Sequence, residues 1–118
     1  MKLKEVSSFQ LEDVLLTDKY YINASKKEMD YLLSFDIDKL LAGFRDAAGL
    51  DMKDASRYDG WEDSLIGGHT LGHYLTACSQ AYRCANSSES EKKQLLSIIK
   101  EIVDGLKECQ DAIGTGFI

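Results

Sequence analysis

Gly67-Gly68-His69-Thr70-Leu71-Gly72-His73-Tyr74-Leu75-Thr76-Ala77 is the stretch on which the fold turns. Continued to Asn86, it predicts a helix in which Leu71, Tyr74, Leu75, Cys78, Ala81, Tyr82 and Ala85 cover more than half the circumference. Arg83 stands alone there among the fully ionised residue types. A helix that is apolar on most sides is buried on most sides. It therefore needs neighbours, and the sequence on either side supplies them.

Toward the N-terminus, Ile37, Leu40, Leu41, Phe44 and Ala48 follow the i, i+3, i+4, i+7 spacing of an amphipathic helix. Asp36 is placed to cap its start, and Gly49 stands where a left-handed C-cap is wanted. Before it, Ile22, Met29, Leu32 and Leu33 recur at helical spacing, with Thr17 or Asp18 as cap. Toward the C-terminus, Ser88 and Glu91 have capping-box spacing. Leu95, Ile98, Ile99, Ile102, Val103, Leu106, Cys109 and Ile113 then mark a long helix that Gly114 stops. The prediction is all-α: four helices near 18–34, 37–48, 66–86 and 90–113, packed as antiparallel neighbours. Leu3, Val6, Phe9, Leu11, Val14, Leu15 and Leu16 suggest an extended or irregular lead-in over 1–17, with room for a short strand. Residues 50–63 read as a long polar loop, of a length that often carries function.

Composition agrees. The 118 residues contain no proline, where average usage gives about six. This suits a helical chain, since proline breaks helix interiors. With 44% hydrophobic and 29% charged residues the chain is globular rather than disordered. A net charge of −6 argues against nucleic acid and anionic membranes as partners, and leaves a neutral sugar unaffected. Met1-Lys2-Leu3-Lys4-Glu5 leads into no apolar run of a secretion signal, and no stretch reaches transmembrane length. A cytoplasmic protein is expected. Cys78, Cys84 and Cys109 form no CxxC pair and are expected as free thiols.

The chemistry concentrates in Tyr58-Asp59-Gly60-Trp61-Glu62 and the glycine-rich run after it. Three glycines within six residues cost up to about 1 kcal/mol each at a helix start. Close approach of a ligand or another backbone is the expected return. His69 and His73, four apart, share a helix face, which is also zinc-ligand spacing. However, Thr70 stands where a metalloprotease has glutamate, and no third ligand follows. The plainer reading has one or both histidines hydrogen-bonded within a crowded helix interface. Trp61 and Tyr58 can stack on sugar rings or pin the loop to the core. Glu62 and Asp63 are too close in sequence to straddle a glycosidic bond, so at most one can serve there. Asp63 or Ser64 is expected to cap the third helix. Trp61, Glu62, His69 and His73 are the candidate substrate-binding residues. No residue is assigned as catalytic or as a metal ligand.

Tyr58-x-Gly60-Trp61-Glu62 followed by Gly68-His69-x-x-Gly72-His73-Tyr74-Leu75-Thr76-Ala77 resembles the N-terminal part of the β-L-arabinofuranosidase-type glycoside hydrolases. Tyr31-Leu32-Leu33 and Leu40-Leu41-x-x-Phe44-Arg45-x-x-Ala48-Gly49-Leu50 resemble that family's opening helices. Leu106-x-x-Cys109-Gln110 with Gly114-x-Gly116-Phe117 resembles a later segment. The resemblance implies an (α/α)6 barrel of twelve helices that hydrolyses L-arabinofuranosides or related plant sugars with retention. It implies a zinc-bound cysteine nucleophile and a glutamate acid/base, both downstream of the region matched. Cys78, Cys84 and Cys109 do not correspond to that nucleophile. Four helices cannot close such a barrel, so residues 1–118 are expected to be a single partial domain, its N-terminal portion. No cofactor is expected in this chain, and hydrolysis is not expected from it alone. A carbohydrate is the expected ligand of the intact protein. Self-association is expected through apolar faces of the third and fourth helices that the missing helices would cover. The competing readings are a non-catalytic helical sugar-binding or protein-interaction module, and a small metal-binding helical protein.

Overall fold

The computed structural model describes residues 6–64 and 67–118. Among the described residues four helices account for the architecture: α1 (Lys19–Leu32), α2 (Ile37–Ala47), α3 (His69–Arg83) and α4 (Glu89–Ile113). Among the described residues there is no strand. The starts of α1, α2 and α4 fall where the capping chemistry placed them. The Asp18 carboxylate accepts from the amides of Tyr20 and Tyr21, and Asp36 accepts from Lys39. Ser88 and Glu91 form a complete capping box. Gly49 and Gly114 take left-handed φ of 69° and 71°, ending α2 and α4.

The third helix is shorter than its apolar pattern. Gly68 has φ 95°, a left-handed conformation that cannot belong to the helix, so α3 begins at His69. Cys84 is extended and ends it. The Asn86 side chain then turns outward, accepting from Leu16 N at 2.8 Å and donating to Leu16 O at 3.0 Å. This paired bond ties the lead-in to the end of α3, and Arg83 reinforces it with two bonds to Glu12. The lead-in makes one 3-10 turn at Leu11–Asp13 and no strand over its described residues. Leu3 and the predicted helix residue at 66 lie outside the described residues.

The core lies where α3 and α4 pack on α2, with α1 across one side of α3. Leu41, Leu95, Ile102, Cys78 and Cys109 are its largest fully buried side chains. Gly105 lets α2 and α4 approach: a Cβ there would stand 2.6 Å from Leu41 Cδ1. Burial pushes the thiols of Cys78 and Cys109 upward in pKa, and both are free, as is Cys84. The Tyr74 hydroxyl, buried and raised in pKa by that burial, donates to Leu32 O at 2.7 Å and locks α3 to α1.

The open faces differ from expectation in one respect. The outward positions of α3 are His69, Gly72, His73, Thr76, Ser79, Gln80 and Arg83, which are polar or small. Its apolar residues turn toward α1, α2 and α4 instead. Exposed apolar side chains lie on α4 (Leu96, Val103), on α1 (Tyr20, Tyr21, Ile22) and along the lead-in. The Cα radius of gyration is 17.6 Å, against about 13.5 Å for a compact domain of this length. The helices form an open layer rather than a closed body. No described helix is long and apolar enough to cross a membrane.

Candidate functional site

Glu62 organises the glycine-rich turn. It sits in a 3-10 turn, Gly60–Asp63, and its carboxylate reaches forward to the start of α3. Oε2 accepts from Gly68 N at 2.6 Å, and Oε1 accepts from Thr70 N at 2.7 Å. These are amides that a helix start leaves without intrahelical partners, and a negative charge there also complements the helix dipole. Glu62 therefore caps α3 from six residues before its N-cap position, Gly68. This corrects the expectation that Asp63 or Ser64 would serve: Gly68 holds the N-cap position without a side-chain cap, and the Ser64 hydroxyl donates to Trp61 O. Burial works to raise the Glu62 pKa. Donation from the Thr70 hydroxyl and the amides of Gly68 and Thr70 outweighs it, and the carboxyl lies below its ordinary value. Held ionised and doubly bonded, this group is poorly suited to act as a general acid.

The glycines resolve into two kinds. A Cβ on Gly67 would meet Glu62 O at 2.8 Å, and one on Gly68 would meet Phe44 Cζ at 2.7 Å. Both let the turn fold back tightly on its own chain. A Cβ on Gly72 would meet nothing within 4 Å. No described neighbour requires that glycine, which lies on the open face of α3 beside His73.

His69 and His73 meet edge to face on that face, with Nε2 atoms 3.0 Å apart. The bond requires one Nε2 to donate and the other to accept. Both rings are exposed, so neither is enclosed in the crowded helix interface of the plainer reading. Among the described residues no three His, Cys, Asp or Glu side chains converge as metal ligands would.

The two aromatics separate as well. Tyr58 pins the loop: its ring packs 5.8 Å from Phe35, and its hydroxyl accepts from Asp36 N at 2.9 Å. Trp61 does the opposite, standing 72% exposed. Trp61, Glu62 and His69 line one depression of about 560 Å³, and His73 adjoins it through His69. That size lies within the usual range for ligand sites, about 300–1,000 Å³. A smaller cavity of about 230 Å³ lies on the other side of Glu62, against α2. Sequence reasoning missed Tyr31, Ser34 and Asp59, which also line the larger depression. The available signal was Tyr31 itself, an aromatic off the apolar stripe of its helix and close to that helix's end.

A family model described as beta-L-arabinofuranosidase, GH127 catalytic domain, matches residues 13–118. No curated protein matches the chain.

Proposed function

The chain belongs to the GH127 β-L-arabinofuranosidase catalytic-domain family, and from that premise we propose that the Trp61–His73 region forms one wall of a sugar-binding cleft. The substrate is an L-arabinofuranoside or a related plant sugar, and the protein works in the cytoplasm. Residues 1–118 are a partial domain, the N-terminal portion of an α/α barrel. The observation that carries the site is the shared depression of Trp61, Glu62 and His69, with His73 hydrogen-bonded to His69. An exposed indole offers a π face to the C–H face of a sugar ring, and the imidazoles offer hydrogen bonds to its hydroxyls. Gly72, which no described side chain or backbone crowds, leaves α3 open to approach at that point. Glu62 acts by positioning: it holds the turn that carries Trp61 and His69 together.

The same 118 residues do not hydrolyse the substrate. Retaining hydrolysis needs a nucleophile and an acid/base in register across the bond. Cys78 and Cys109 are fully buried, and burial keeps their thiols protonated. Glu62 is occupied as a helix cap. Titration with methyl β-L-arabinofuranoside, followed by NMR of the histidine rings, tests the site. Saturable shifts of His69 and His73 that vanish in His69→Ala are expected; unmoved rings at high sugar concentration would refute it. Release of nitrophenol from a nitrophenyl arabinofuranoside, abolished by Glu62→Gln or Cys109→Ser, would overturn the inactivity.

A further inference from the structure

We infer that Tyr31 is a second aromatic wall of this depression, and that with Trp61 and Asp59 it selects an uncharged sugar ring over an anionic one. The inference rests on the sugar-binding reading above and adds to it both a residue and a preference. Helix α1 turns Met29 and Leu32 into the core, at 6% and 5% exposure. Tyr31 lies off that stripe and is 58% exposed. Its ring meets the edge of Phe35 at 5.0 Å and 77°, which fixes its place without covering it. Phe35 is in turn held against Tyr58 and Tyr74, so Tyr31 stands on a supported base.

The depression therefore has two exposed aromatic residues from separate parts of the chain, Tyr31 at the end of α1 and Trp61 in the 3-10 turn. Aromatic faces suit the C–H faces of a sugar ring. The polar groups around them are free to serve hydroxyls. Among the described residues the Tyr31 hydroxyl, the Trp61 indole N–H and the Asp59 carboxylate have no hydrogen-bond partner, while Ser34 is occupied by Tyr31 O. A neutral polyol can both donate to Asp59 and accept from Trp61. A uronate would bring its charge to a rim that already holds Asp59 and ionised Glu62, on a chain of net charge −6. Like charges at one rim oppose binding.

Trp61 is the only tryptophan, so its emission reports this depression alone. The intact 118-residue chain is titrated with methyl β-L-arabinofuranoside and, separately, with galacturonate. The neutral sugar should shift Trp61 emission saturably, and galacturonate at equal concentration should leave it unchanged. Tyr31→Ala should weaken neutral-sugar binding roughly 3- to 10-fold, while Tyr31→Phe stays within about 2-fold, as expected when the ring matters more than the hydroxyl. If Tyr31→Ala fails to fold, Tyr31→Leu keeps an apolar contact on Phe35 and removes the π face. Wild-type affinity in Tyr31→Ala or Tyr31→Leu, with binding lost in His69→Ala, would overturn this inference and leave the proposed site standing. Galacturonate binding as tightly as the neutral sugar would overturn the charge preference. No response to any sugar would overturn both the inference and the site.

Discussion

At the scale of single residues, Glu62 carries more of the local structure than its candidate role in binding suggested. Its carboxylate closes two orphan amides at the start of α3. Replacing Glu62 with Ala should destabilise the chain by about 1–2 kcal/mol, the range for losing a helix cap with charge-assisted bonds. The effect depends on pH with a definite sign. The folded pKa lies below the unfolded value of 4.5, so the unfolded state takes up protons first as pH falls. The stabilisation is complete well above 4.5 and disappears as pH drops through the folded pKa. Melting curves of the wild type and Glu62→Gln should differ at pH 7 and converge in acid; a constant gap down to strongly acidic pH would refute the ionised cap. The glycines give a paired test. Gly68→Ala meets both a positive φ and the Phe44 ring, and should cost about 1–3 kcal/mol. Gly72→Ala meets open space inside a helix, and should stabilise the chain by about 0.5–1 kcal/mol. Urea denaturation midpoints that move the same way for both would contradict the division drawn between them.

At the scale of elements, periodicity made all four helices legible, and capping agreed with it at α1, α2 and α4. Asp18, Asp36 and the Ser88–Glu91 pair sit immediately before apolar stripes, and each forms its bonds. The bounds of α3 were less legible. Its apolar pattern runs on to Ala85, yet Cys84 is extended and Asn86 is engaged with Leu16, 70 residues earlier in the chain. That contact also gives the lead-in its anchor. Asn86→Ala removes both bonds to the Leu16 backbone, leaving the Arg83 pair with Glu12, which is exposed and worth little. Hydrogen exchange at Leu16 should then accelerate by roughly 10-fold or more, while amides of α4 keep their protection. Uniform acceleration throughout would mean that Asn86 supports the whole fold instead.

At the scale of the whole molecule, the open layer leaves apolar surface without cover. Leu96 and Val103 lie seven residues apart on one face of α4, both about half exposed, and Tyr20, Tyr21 and Ile22 crowd the start of α1. Surface of this kind seeks a partner, and a closed dimer is the commonest outcome for a single chain type. Light scattering is expected to report concentration-dependent self-association, which Leu96→Glu with Val103→Glu abolishes. A monomer at high concentration in the wild type would refute it, and association undiminished in the double variant would move the contact elsewhere.

By itself the sequence determined the helices, their order and the region of the candidate site. Helix caps act within one turn and apolar stripes repeat every 3.6 residues, so both are written locally. It also placed Tyr58, Trp61, Glu62, His69 and His73 near one another through simple adjacency. Tertiary structure alone decided what each of them does. Whether an aromatic anchors or projects depends on what lies opposite: Tyr58 finds Phe35 and the Asp36 amide, while Trp61 finds solvent. Glu62 became a cap because a left-handed Gly68 turns the chain back toward it. Tyr31 reaches the same depression because α1 packs across α3, which brings residues nearly forty positions apart to one place. Contacts between distant segments carry no local periodic signal, and only the packed chain reveals them.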